Sequence, residues 1–154
     1  MIKHNDTIQY RNVVSQKLII HSNQMEEAIH LVKRIIEEHD GTLTGRFFYT
    51  LEEILEETDL QIELFFEIEE DSLTLPESMN FHSYYCIYSM LSFYNYGGYQ
   101  EETLLSYAVM YKYAEANQLT INTPFFHEVV TIGELKYIHL KVGVRPQTEE
   151  EIWA

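Results

Sequence analysis

The segment from residue 60 to residue 69 constrains the fold most strongly, because apolar and polar side chains alternate along it. One face carries the apolar residues Leu60, Ile62, Leu64, Phe66 and Ile68. The other face carries Gln61, Glu63, Phe65, Glu67 and Glu69. A period of two is typical of a strand in an antiparallel sheet that buries one face. The segment therefore predicts a sheet with one face against helices and the other face bearing Glu63 and Phe65.

The first half of the chain predicts the order strand, helix, strand, strand. Residues 10–21 are rich in valine, leucine and isoleucine, which is typical of a strand. Apolar residues recur at helical spacing over residues 25–39, and a strand rich in aromatic residues follows over 43–50. The acidic segment 50–59 predicts a short helical turn before the alternating strand at 60–69.

The same order returns in the second half. A tyrosine-rich strand is predicted over residues 82–94, and the Gly97-Gly98 pair ends it. Residues 101–117 contain neither glycine nor proline and predict a helix. Strands are predicted over residues 120–130 and 137–144, the latter again with alternating side chains. Residues 45–49 resemble 123–127, and residues 60–64 resemble 136–140, so we interpret this recurrence as an internal repeat.

These patterns predict a single domain of the α+β class over residues 1–154. Two repeated βαββ units, over residues 10–70 and 81–145, would form antiparallel sheets around a central groove. The helices would lie on the opposite side of the sheets, and polar positions of the alternating strands would line the groove.

The charge of the chain limits its partners. Ten lysines and arginines against 25 aspartates and glutamates give a net charge of −15. Nucleic acids and anionic membranes are bound mainly through basic residues, so neither is expected as a direct partner. The acidity favours a cationic ligand or a basic protein partner, or else it serves solubility alone.

Other features of the composition point to the cytoplasm. Cys86 is the single cysteine, so no internal disulfide can form. The N-terminus shows no signal-peptide pattern, and no apolar run is long enough to span a membrane. The histidines at positions 82, 127 and 139 lack the spacing of a zinc site, and no metal or organic cofactor is expected.

The second half resembles a known family. The motifs that carry the resemblance are Ile87-Tyr88, Tyr94-Asn95-Tyr96-Gly97-Gly98-Tyr99, Asn117-Gln118-Leu119, Pro124 and His127-Glu128-Val129. In this order they resemble the effector-binding domain of multidrug-sensing transcription regulators and of GyrI-like (gyrase-inhibitor) proteins. The resemblance extends over residues 10 to 145. No DNA-binding segment precedes it, so we expect a free-standing effector-binding domain.

The resemblance implies a groove that binds small, often cationic or aromatic molecules. Glu63 and Glu128 correspond to the groove acids of the family. Tyr49, Phe65 and Tyr88 correspond to its aromatic wall. A carboxylate among aromatic rings holds a cation through its charge and the faces of the rings.

His139 adds a titratable group to this set of residues. We expect it opposite Glu63, where a carboxylate would raise the pKa of the imidazole and could support acid–base chemistry. The favoured function is non-catalytic binding of a small organic molecule. One alternative is an inhibitor- or immunity-type module that binds a basic protein, and a second is a hydrolase that uses a groove glutamate. The sequence does not indicate an oligomeric state.

Overall fold

The computed structural model describes residues 1–55, 58–95 and 100–154. The chain divides into two compact units. The first unit comprises Gln9–Cys86, and the second comprises Met1–Ile8 together with Ile87–Ala154.

The first unit contains one helix and four strands. They are β1 (Lys3–His21), α1 (Met25–Glu38), β2 (Leu43–Ile54), β3 (Asp59–Ile68) and β4 (Met79–Asn95), of which β1 and β4 continue into the second unit. The strands are ordered β4-β1-β3-β2, and β3 pairs antiparallel with both β1 and β2. The alternating segment thus forms a central strand of this unit.

Helix α1 packs on one face of these strands and makes the first core. Apolar side chains at helical spacing, Ala28, Val32 and Ile36, are buried in it. The strand residues Ile62, Leu64 and Phe66 meet them from β3. The period of two therefore places Glu63 and Phe65 on the opposite face.

The second unit is built on the continuation of β1 and β4. It adds α2 (Gln100–Ala116), β5 (Leu119–Ile121), β6 (Phe125–Ile132), β7 (Leu135–Pro146) and α3 (Glu149–Trp153). Strand β7 pairs antiparallel with β4, β5 and β6. Its core comprises Leu91, Met110, Ala114, Phe125, Leu140 and Val142, so α2 packs on the face that bears the apolar residues of β7.

The α+β class is confirmed, and several boundaries differ from the predictions. The helical turn expected over residues 50–59 is wrong, because β2 continues to Ile54 in a ladder with β3. Residues 56 and 57 of that segment, like the Gly97-Gly98 turn, lie outside the described residues. The strand expected over 120–130 is two strands, β5 and β6. The internal repeat and the central groove stay predictions.

Strand β1 begins seven residues before the expected strand, at Lys3. This extension brings Asp6 and Thr7 into the second unit.

Within the described residues, no helix is both long and apolar enough to cross a membrane.

Candidate functional site

The face of the first unit opposite α1 carries a cluster of aromatic rings. Phe48 stacks on Phe65 with ring centroids 4.4 Å apart, and Tyr10 lies 4.8 Å from Phe48. Tyr85 contacts both phenylalanines, at 5.6 Å from Phe48 and 5.0 Å from Phe65. We call these four residues the aromatic cluster. Phe65 is only 2% exposed, so it packs beneath the surface of this face and does not form an exposed aromatic wall.

Glu63 is half-buried beside this cluster. In the ladders of β3 it stands opposite Lys17 on one side and Thr50 on the other. Burial raises the pKa of Tyr85 to about 12, and the nearby carboxylates of Glu63 and Glu52 contribute to the increase. Among the described residues, Glu63 forms no ion pair. A carboxylate that forms no ion pair thus lies near a tyrosine ring and a second acid, with Lys17 as its basic neighbour across the strands.

Two of the residues expected in the aromatic wall lie elsewhere. Tyr49 packs against the core under α1, because it stands opposite Leu64 and cross-strand neighbours share a face. Its expected position beside Glu63 is therefore wrong. Tyr88 belongs to the second unit, where it is 67% exposed.

The second unit carries a set of polar side chains on the face opposite α2. Glu128 on β6 stands opposite His139 on β7, and Ser92 on β4 stands opposite Lys141 on β7. Asp6 joins them from β1 through contacts with His139 and Lys141. We call Asp6, Ser92, Glu128, His139 and Lys141 the polar cluster. It combines two acids, two bases and a hydroxyl on one face of the strands.

Lys141 is the internal counter-charge of this cluster. Its ammonium group lies 2.5 Å from Glu128 Oε1 and 3.8 Å from Asp6 Oδ1. It also donates a hydrogen bond of 2.7 Å to the carbonyl oxygen of Thr7. The Lys141 side chain is 8% exposed, so the ion pair with Glu128 is largely removed from water.

His139 lies between the two acids. Its Nδ1 is 3.9 Å from Glu128 Oε1, and its Nε2 is 3.6 Å from Asp6 Oδ2. The ring of Tyr94 stacks on the imidazole at 4.0 Å. Burial lowers the pKa of His139, and the ammonium of Lys141 lowers it further, against the opposing effect of the two acids. The imidazole is therefore neutral near pH 7.

Three buried polar atoms of this cluster have no hydrogen-bond partner among the described residues. They are Asp6 Oδ2, Ser92 Oγ and His139 Nε2. His139 Nε2 nevertheless lies 3.6 Å from Asp6 Oδ2, and the Ser92 hydroxyl helps to lower the pKa of Asp6, so these groups act on one another within the cluster.

The sequence predictions named Glu128 and His139, but they expected His139 opposite Glu63 with a raised pKa. Both expectations are wrong, because His139 stands opposite Glu128 in the β6–β7 ladder and burial lowers its pKa. The predictions missed Asp6, Ser92 and Lys141. The alternation of β7 did place His139 and Lys141 on one face. No pattern in residues 3–9 identified Asp6 as a partner, since its position depends on the extension of β1. The described residues contain no group of three His, Cys, Asp or Glu side chains arranged to hold a metal ion.

Comparison with known proteins gives one family. The family described as Domain of unknown function (DUF5085) matches residues 9–146. No curated protein matches the sequence.

Similar folds occur in solved structures. The C-terminal domain of EcmrR has a TM-score of 0.66 at 10% identity, over 92% of this chain and 98% of that domain. A structure of EcmrR in a complex with DNA has a TM-score of 0.67 at 13% identity. The match covers 94% of this chain and 58% of the EcmrR chain. A structure from Listeria innocua described as a hydrolase has a TM-score of 0.52 at 11% identity, over 92% of this chain and 91% of that one. At these identities the likeness shows the fold alone.

Proposed function

The chain belongs to the DUF5085 family, and we propose that it is a GyrI-like small-molecule-binding domain without catalytic function. Its fold is that of the C-terminal domain of EcmrR, which supports the proposal. We further propose that it acts in the cytoplasm. Because its net charge is −15, we also propose that it makes no direct contact with nucleic acid.

The observation that carries the proposal is the half-buried carboxylate of Glu63. It lies next to Tyr85 and has no ion-pair partner among the described residues. A carboxylate in a sheltered site favours a cation as its partner, and an aromatic ring adds to that attraction. An organic cation is therefore the expected ligand, with Phe65 holding this face of β3 in place.

The proposed roles of the other predicted residues follow from their surroundings. Glu128 is already paired with Lys141, so it is a weaker anchor for a cation than Glu63. His139 adds a buried imidazole next to Glu128. Tyr88 has an exposed ring in the second unit, so we propose it as an aromatic contact of that unit alone.

Glu63→Gln tests the charge anchor, because it keeps the shape of the side chain and removes its charge. The probe is benzyltriethylammonium, compared with a neutral analogue in which carbon replaces the charged nitrogen. The lost interaction is the attraction between two unit charges about 4 Å apart at a partly sheltered site. We therefore expect calorimetry to show that the cation binds the variant more weakly by about 1–4 kcal/mol, which is at least about 5-fold. Glu69→Gln removes an exposed carboxylate directly after the same strand and is the matched control. Equal affinity of wild type and Glu63→Gln for the cation would contradict the proposal.

The Tyr85 hydroxyl gives a second measurement that needs no ligand. Because Glu63 helps to raise the pKa of Tyr85 to about 12, Glu63→Gln should lower that pKa. Titration followed by NMR on ring-labelled tyrosine measures the change. An unchanged Tyr85 pKa would show that the carboxylate does not act on this ring.

One observation favours protein binding as a second candidate function. Leu105 and Val109 lie one turn apart on one face of α2, and both are exposed. Exposed apolar residues on one helix face are typical of a surface that contacts another protein. If no organic cation raises the melting temperature, this function replaces ligand binding.

A further inference from the structure

Helix α2 carries apolar side chains on its outer face as well as on the face that packs on the strands. Its residues 104–111 include no charged side chain. Leu105 is 66% exposed and Val109 is 46% exposed, whereas Met110 and Ala114 are buried in the core. A surface helix normally carries polar residues on its outer face, and a helix that is apolar all round is normally buried. We therefore expect a partner to cover the outer face of α2.

An open groove of about 600 Å³ lies along the C-terminal half of α2. It is lined by six residues of the second unit, namely Ile2, Val109, Lys112, Tyr113, Glu115 and Ala116. Its volume falls within the range of pockets that hold small organic molecules, so it is large enough for one aromatic side chain. We call it the α2 groove.

Helix α3 presents exposed apolar side chains of its own. Ile152 is 38% exposed and Trp153 is 84% exposed. Glu151 holds this helix in place, because it accepts hydrogen bonds from the Arg145 guanidinium at 2.7 and 3.2 Å and from the Thr120 hydroxyl at 3.0 Å. Side chains on a fixed element lose less freedom on binding, and tryptophan is enriched among the residues that dominate protein interfaces. We call Ile152 and Trp153 the α3 tip.

We propose that the α3 tip of one copy of this chain inserts into the α2 groove of a second copy, and that the second copy does the same in return. Trp153 is 84% exposed, so it does not fill the groove of its own copy. One contact between copies would cover both the exposed tip and the exposed helix face. This inference names the occupant of the α2 face and does not depend on the Glu63 site.

The positions of the tip and the groove allow a reciprocal exchange. The Gln147 N–H donates a hydrogen bond of 2.8 Å to the carbonyl oxygen of Gln118, which lies two residues after the end of α2. Helix α3 therefore begins beside the end of α2 that carries the groove. Two copies related by a twofold axis can then place each tip in the other groove, and this arrangement closes as a dimer.

The charges are compatible with this pairing. Lys112 is the basic residue of the groove and forms no ion pair among the described residues. The first turn of α3 brings the carboxylates of Glu149 and Glu150 with the tip. An exposed pair of this kind orients the tip and adds little affinity. Glu115 is exposed, so it keeps its contact with water, and 16 of the 25 acidic residues of the chain belong to the first unit.

The fluorescence of Trp153 tests the inference directly, because it is the single tryptophan of the chain. Sedimentation equilibrium measures the mass of the full chain while it is diluted from millimolar to submicromolar concentration. We expect a monomer–dimer equilibrium, with Trp153 emitting at shorter wavelength in the dimer because its ring leaves water. A chain that stays monomeric throughout would overturn the inference. So would a dimer whose Trp153 emission equals that of the monomer.

Variants locate the interface. Trp153→Ala removes the larger side chain of the tip, and Val109→Glu places a carboxylate in the groove; both positions are exposed, so the core stays intact. Each variant should raise the dimer Kd at least about 30-fold, the effect of losing one dominant interface side chain. Leu31→Glu adds the same charge to α1 at a position that is 43% exposed, and it should leave the Kd unchanged. A dimer that persists in Val109→Glu, or that Leu31→Glu weakens equally, would overturn the inference.

Discussion

Replacing Lys141 with methionine removes the counter-charge of the polar cluster and keeps the length of the side chain. Its ammonium lies 2.5 Å from Glu128 and 3.8 Å from Asp6, and the side chain is 8% exposed. Removing one partner of a buried ion pair typically costs about 3–5 kcal/mol, because the remaining charge stays buried without compensation. The variant also leaves the Thr7 carbonyl oxygen without this donor. We therefore expect a loss of about 3–5 kcal/mol in the free energy of unfolding at pH 7.

Urea denaturation followed by circular dichroism measures this loss. Lys112→Met makes the same substitution at an exposed position of α2 and should change the free energy of unfolding by less than about 0.5 kcal/mol. A loss below about 1 kcal/mol in Lys141→Met would refute the argument that the ion pair is sheltered from water.

The stability lost in Lys141→Met should depend on pH, because Lys141 acts on the carboxyl group of Asp6. The pKa of Asp6 lies below its ordinary value of 3.8, despite burial, and Lys141 is one of the causes. A carboxyl with a lowered pKa contributes stability above its ordinary pKa and loses that contribution as the pH falls through the folded-state pKa. The difference between wild type and Lys141→Met should therefore be largest near neutral pH and shrink below about pH 3.8. A difference that grows in acid would contradict this account.

Two further predictions concern the ends of helices. In Gly41→Ala the new Cβ would lie 2.5 Å from a methyl group of Ile36. We therefore expect the free energy of unfolding, measured by urea denaturation, to fall by about 1–3 kcal/mol. An unchanged denaturation midpoint would contradict this prediction. The hydrogen bond from Arg145 holds the pKa of Glu151 at about 2, so the stability that Glu151 contributes is present above pH 4.5 and is lost as the pH falls towards 2. NMR titration should show the Glu151 pKa rising towards 4.5 in Arg145→Gln, and no rise would exclude Arg145 as the cause.

Much of the fold could be predicted because it depends on local periodicity. The alternation along β3 predicted which side chains pack under α1, and Ile62, Leu64 and Phe66 do so. Helical spacing likewise predicted α1, and the absence of glycine and proline over residues 101–117 predicted α2. Such patterns record which side chains must leave water, and burial of apolar surface is the largest favourable contribution to folding.

The positions of aromatic and acidic residues in β2 could not be predicted in the same way. Phe47, Phe48 and Tyr49 are all aromatic, so no period of two separates one face from the other. Pairing with β3 determines which face each of these side chains lies on, and Tyr49 stands opposite the core residue Leu64. The acidic end of β2 is likewise a strand, since its backbone completes a ladder with β3.

The sequence alone determined that Glu63 lies on the polar face of its strand and that His139 and Lys141 share a face. Only the tertiary structure decided what these groups meet. The extension of β1 brought Asp6 to His139, and the pairing of β4 with β7 placed Ser92 opposite Lys141. The physical reason is that a side chain's face follows from the geometry of its own strand, whereas its charge and hydrogen-bond partners come from strands distant in sequence, whose register is set by backbone pairing.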